Sequence, residues 1–132
     1  MGRQRGFTLI ELLVVLVLVA LLAAIATPVI SRSIRHARES ALKEDLFVLR
    51  KAIDHYYADK GHYPDRVSVL AKRHYVRKIP VDPFTGRRDT WVGVPADSAS
   101  ELNGRSEERA GIMDVHSGTE QKDKDGEPYA DW

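Results

Sequence analysis

The sequence predicts an α+β fold: a long N-terminal helix, apolar in its first half and amphipathic in its second, packed on a small C-terminal head with a short antiparallel β-sheet. Three observations predict it. Residues 7–30, FTLIELLVVLVLVALLAAIATPVI, hold a single charge, Glu11, although the 132-residue chain carries 20 Lys and Arg and 19 Asp and Glu. No glycine stands between Gly6 and Gly61, and Pro28 is the only proline in that stretch, so little interrupts a helix there. Past Gly61, TWVGV (90–94) and AGIMDVH (110–116) are short apolar runs set in polar, turn-rich sequence, as two short strands require.

The apolar run comes first. At 1.5 Å per residue it spans about 36 Å, enough to cross a bilayer. Arg3 and Arg5 precede it, but the run is too long for a conventional signal peptide and no A-x-A cleavage site followed by a polar mature sequence ends it. The segment is therefore expected to remain as a single transmembrane helix. Arg32, Arg35 and Arg38 follow the span and compete with Arg3 and Arg5 in setting orientation; the N-terminus is read as cytoplasmic. Glu11 is the anomaly, because a carboxylate at the centre of a membrane helix costs about 3 kcal/mol. Either it lies near the headgroups and snorkels, or it pairs with a positive group brought in by another subunit.

Gly6-Phe7-Thr8-Leu9-Ile10-Glu11, with its short Arg-containing leader and the long span containing Pro28, resembles the class III signal of type IV pilins and type II secretion pseudopilins. The resemblance implies a type IV pilin-like fold. It also implies that a prepilin peptidase removes residues 1–6 as a leader by cutting between Gly6 and Phe7, and that the same enzyme methylates the new amino group of Phe7. The cut would create a cationic amine in apolar surroundings. The Glu11 carboxylate of a neighbouring subunit can compensate it, which would make the pair a filament registry device.

A continuous helix from about residue 7 to about residue 59, roughly 80 Å long, divides into a transmembrane half (7–30) and an amphipathic half (31–60). Pro28 removes one backbone hydrogen bond and is expected to kink or locally melt it. Leu42, Leu46, Leu49, Ile53 and Tyr57 recur at three- and four-residue steps and form the stripe that the head packs against. Glu39 with Lys43, and Arg50 with Asp54, are expected to pair at i, i+4 on the wet sides.

The head occupies 61–132. Gly61 and Pro64 end the helix. DKGHYP (59–64) resembles the D-x-G-x-Y-P of major pseudopilins, which implies that Tyr63 and Pro64 pack the turn onto the helix. Residues 66–73 read as a short helix with Asp65 as its cap and Val67 and Leu70 inward. KIPVDPFTG (78–86) is similar to that family's L-P-x-D-P-x-G and reads as an ordered turn region. A polar loop at 95–109 joins the two strands, and Tyr129 and Trp132 are expected to pack the tail onto the sheet.

In the tail, Asp123, Asp125 and Glu127 alternate around Gly126, offering hard oxygens that suit calcium. An EF-hand is excluded: with Gly126 at the sixth position, Gln121 and Trp132 stand where acids are needed. Major pseudopilins bind calcium through a C-terminal loop, and the resemblance implies a site using Asp114, Asp123 or Asp125. A solvated acidic turn is the alternative. Asp114, His116 and Ser117 do not make a hydrolytic set, since adjacent strand residues point to opposite faces and no G-x-S-x-G surrounds the serine. The five histidines lack H-x-x-x-H spacing. Arg66, Lys72, Arg73, His74, Tyr75, Arg77 and Lys78 form a basic stretch, read as filament contacts in preference to DNA contacts.

A net charge of +1 predicts no strong attraction to nucleic acid, and the absence of cysteine excludes disulfides, thiolate metal sites and cysteine nucleophiles. The small head leaves little room for a deep substrate cavity. Together with the resemblance, this identifies a structural subunit, not an enzyme. It would form a helical homo-oligomeric filament, a periplasmic pseudopilus that drives protein export by type II secretion. The resemblance implies anchorage in the bacterial inner membrane with the head in the periplasm. Its implied partners are prepilin peptidase, other pseudopilins, an inner-membrane platform protein, a cytoplasmic ATPase and, indirectly, the secretin and secreted substrates. The alternatives are a type IV pilus or competence subunit, or a monomeric membrane-tethered calcium-binding module.

Overall fold

The computed structural model describes residues 2, 3, 5–96 and 111–132. From Asp97 onward the expected 95–109 loop lies outside the described residues, as does Ala110 of the second predicted strand. The chain separates into two compact units, Met1–Ala37 and Arg38–Trp132.

Helix α1 is Leu9–Lys60. Thr8 starts it: the Leu12 N–H donates to its carbonyl at 3.2 Å and the Glu11 N–H donates to its hydroxyl at 3.3 Å. The first bond is the ordinary helical one; the second satisfies the Glu11 N–H, a first-turn donor that no helical carbonyl can reach, and Thr8 with Glu11 supplies the residue types of a capping box. The helix begins two residues later than the apolar run because Thr8 serves as its cap. At the other end the Gly61 N–H donates to the Tyr57 carbonyl at 2.8 Å, and the chain leaves through the left-handed region at φ 72°, which glycine enters without steric cost. Helical structure runs through Pro28 without the local melting expected of it. Nearby hydroxyls bond back along the helix, Thr27 to the Ala23 carbonyl at 2.8 Å and Ser31 to the Thr27 carbonyl at 3.1 Å.

In the first unit the large apolar side chains are exposed, from Val15 at 48% to Leu9 at 84%. In the second, α1 buries Leu42, Leu46, Leu49, Ala52, Ile53 and Tyr56. The stripe thus closes on Tyr56, not Tyr57, which stays 46% exposed and meets the Tyr63 ring in a tilted contact at 4.4 Å. Pro64 beside it is fully buried, so the turn does pack onto the helix. Helix α2, Val67–Lys72, buries Leu70 and half-buries Val67. Its cap position is Arg66 in extended conformation with no side-chain cap bond, so Asp65 does not cap it.

Strands β1 (Val92–Pro95) and β2 (Ile112–His116) pair antiparallel, with Val92 opposite His116 and Gly93 opposite Val115, and a bulge between Val94 and Pro95. Proline has no N–H to give to a ladder, and a bulge at the end of the pairing tolerates it. Val76, Trp91, Ile112, Val115 and Tyr129 complete the core, with the Trp91 indole donating to the Pro80 carbonyl at 2.9 Å.

The tail ends in a 3-10 turn, Tyr129–Asp131. It lies against β2, as expected, and its aromatics also reach α1 and the 78–86 turn. Tyr129 stacks on Phe84 at 4.1 Å and donates its hydroxyl to Glu39 at 2.7 Å; Trp132 meets Tyr129 edge-on, and the Lys43 ammonium lies 4.6 Å from the Trp132 ring centroid. Glu39 and Lys43 therefore hold the tail instead of serving only each other. Arg50 likewise bonds Asp114 on β2, not Asp54.

Candidate functional site

The Gly6–Phe7 bond lies before α1 in a stretch with no regular structure. Both residues are exposed, Phe7 at 76%, and the space around Gly6 is open. An enzyme that reads extended backbone can reach this bond without unwinding a helix. Glu11 sits in the first turn of α1, exposed, where the unpaired N–H groups of the helix end favour a carboxylate. That is a local reason for its presence that requires no partner. Thr8 is the functional neighbour missed by sequence reasoning, although T-x-x-E ahead of an apolar run is the pattern that marks it. Beyond Glu11 the helix is long and apolar enough to cross a membrane, and none of its most apolar stretch is buried. Side chains this apolar require lipid or other helices against them.

The three carboxylates expected to hold calcium are not brought together. Asp114 is taken by Arg50, whose Nε donates to its Oδ1 at 2.6 Å. Asp123 Oδ1 accepts the N–H groups of Asp125 and Glu127 at 2.8 and 2.9 Å, closing a turn in which Gly126 adopts φ 85°. Asp125 pairs with Lys124 at 2.9 Å in solvent. Among the described residues no three His, Cys, Asp or Glu side chains converge on a common point. As arranged, these residues do not fit a calcium ion, which takes six to eight oxygen ligands.

Ser117 is fully buried and donates its hydroxyl to Asp82, while the His116 Nδ1 faces the Ser117 carbonyl at 2.9 Å. The serine is thus not presented to the histidine. Asp82 is itself fully buried; its Oδ1 accepts the Phe84 N–H at 2.8 Å and the Thr85 N–H at 3.3 Å. It pins the 78–86 turn to the start of the tail, a role the sequence indicated only as an ordered turn. Burial, then the nearby charges of Asp82 and Glu44, push the Asp45 carboxyl above its ordinary value. Asp45 lies on α1 beyond the apolar run.

The basic stretch divides. Arg66, Arg77 and Lys78 join Arg88 at the rim of an open cavity of about 760 Å³ floored by Trp91 and Ile112. The Tyr75 hydroxyl turns instead to Asp59 at 2.9 Å.

The family model for the prokaryotic N-terminal methylation motif matches residues 1–27. The chain is 30% identical over 98 residues to type II secretion system core protein G of Escherichia coli (strain K12), covering 62% of this chain and 68% of that one. The same-named proteins of Klebsiella pneumoniae and Aeromonas hydrophila are 33% identical over 100 residues (64% and 71% covered) and 36% over 98 residues (62% and 68%). The type IV major pilin protein PilA of Myxococcus xanthus (strain DK1622) is 38% identical over 63 residues, 48% of this chain and 29% of the pilin. No solved structure matches the chain at a significant level.

Proposed function

This chain belongs to the family of type II secretion system core protein G and is a pseudopilin subunit of type II secretion, and from that premise we propose how its residues serve assembly. Prepilin peptidase cuts between Gly6 and Phe7 and methylates the Phe7 amine. The observation that carries this reading is the Gly6-Phe7-Thr8-Leu9-Ile10-Glu11 sequence, with its scissile bond exposed ahead of a capped helix. Residues 7–30 hold the subunit in the inner membrane, with the N-terminus cytoplasmic and the head periplasmic.

Assembly exchanges lipid for protein around α1. The apolar halves of neighbouring helices form the filament core, and the heads lie outside. Each incoming methylated amine is a cation entering an apolar interior, where an uncompensated charge costs several kcal/mol. The Glu11 carboxylate of an adjacent subunit offsets it only at the correct stagger, so the pair selects register. The chain performs no catalysis of its own. A platform protein and a cytoplasmic ATPase drive its movement, and the growing filament pushes substrates toward the secretin. Ser117, turned to Asp82, and Asp114, held by Arg50, are both spent on holding the head together, which supports the structural role.

Intact-mass and N-terminal peptide mass spectrometry of the protein from its native membrane fraction tests the reading. The expected terminus is Phe7 bearing one added methyl group. A terminus at Met1 or Gly2 in a host with active prepilin peptidase would overturn it.

A further inference from the structure

Polar groups from two distant parts of the head converge on Arg50. Its Nε donates to Asp114 Oδ1 at 2.6 Å, and its Nη2 donates to the Trp132 carbonyl oxygen at 2.8 Å and to the Val115 carbonyl at 3.3 Å. Asp114 Oδ1 also receives the Val115 N–H at 2.7 Å. A carboxylate and two main-chain carbonyls, drawn from β2 and from the tail, therefore meet at one positive charge. That donor set is what a hard divalent cation collects. Here a planar guanidinium satisfies it with directed N–H bonds, which a spherical ion does not need and a lysine could not reproduce.

The surroundings match this assignment. Arg50 and Lys43 line one open cavity with Asp123, Glu127 and Trp132, so the two acids there already face two cations. A divalent ion entering would meet both like charges and find Asp114 already engaged. Lys43 adds a second hold on the tail through the Trp132 ring, and Glu39 a third through the Tyr129 hydroxyl. We infer that Arg50 is a built-in cation that fastens the C-terminal tail to α1, and that the head closes without a divalent metal. The inference does not depend on how the N-terminus is processed.

Thermal unfolding of the full chain in detergent micelles tests it, followed by tryptophan fluorescence. With about 5 mM calcium chloride and with excess EDTA the midpoints are expected to agree to within about 1 °C, because an ion that does not bind the folded state cannot stabilise it. Arg50→Gln is expected to lower the midpoint by about 4–8 °C, the shift that loss of roughly 1 kcal/mol produces in a domain this small. It should also speed tryptic cleavage after Lys122 and Lys124 severalfold. If Arg50→Gln does not fold, Arg50→Lys keeps the charge but loses the fork, and should give a smaller drop with the same cleavage sites. Either of two results overturns the inference: a wild-type midpoint that rises saturably with calcium and not with magnesium, or Arg50 variants equal to wild type in both midpoint and cleavage.

Discussion

Asp82 and Asp45 show what one carboxylate does to another inside a small head. Asp82 is buried and held by the Phe84 and Thr85 N–H groups and the Ser117 hydroxyl. Among the described residues Asp45 has no such set; burial raises its pKa first, and Asp82 and Glu44 add to the effect. A carboxyl whose folded pKa is raised favours the protonated fold. Its stabilising contribution is complete below the ordinary aspartate value near 3.8 and is lost as pH rises through the raised one. At neutral pH Asp45 is therefore a net cost, so Asp45→Asn is expected to stabilise the head at pH 7 by a few tenths of a kcal/mol, after discounting for solvent screening. The gain should vanish below about pH 4. Urea midpoints at both pH values would check this; an equal gain at both would attribute the effect to packing. Neither role was legible as a site. VDPFTG announces a turn, but the burial of Asp82 depends on Ser117, 35 positions away, which no local pattern connects to it.

Among the elements, α1 was the most legible, because a long glycine-free stretch and a three-four apolar step are local properties. Even so, the stripe closes on Tyr56, where the spacing also allows Tyr57. From Ile53 a step of three reaches Tyr56 and a step of four reaches Tyr57, and only packing against the head decides between them. The partner of Arg50 is hidden for a related reason: Asp54 stands one turn away in sequence, whereas Asp114, which it bonds, is 64 positions distant. The strands were legible as apolar runs but not their ends, since Pro95 reads as a terminator and instead occupies a bulge. Where β2 begins, the Ile112 N–H donates to the Pro64 carbonyl at 2.8 Å, and a Cβ on Gly111 would lie 2.5 Å from the Tyr63 carbonyl oxygen. That contact is backbone and cannot swing aside. Gly111→Ala is expected to destabilise the head by about 1–3 kcal/mol. A urea midpoint matching wild type would show that the 63–64 segment gives way.

At the scale of the whole molecule, the membrane anchor and the family were readable from the first 30 residues, where the chemistry is local and dense. The tail was not, because its contacts are set by distant partners. The exposed apolar half of α1 makes one prediction about assembly. Glu11→Ala should insert and be processed as wild type, yet the pelletable filament recovered from the periplasm should fall about tenfold or more, as expected when a buried amine loses its counter-charge. Normal filament yield would remove Glu11 from the register mechanism and leave it a first-turn acid. The tail contacts also order events in time. Tyr129 reaches Glu39 across 90 positions, and Trp132 reaches Arg50 across 82. Contacts so remote in sequence form after the local ones, and synthesis delivers the helix first. From the emergence of Leu42 until the arrival of Tyr129, the nascent head presents an uncovered apolar face, so its greatest exposure to aggregation comes during biogenesis, before the finished subunit exists.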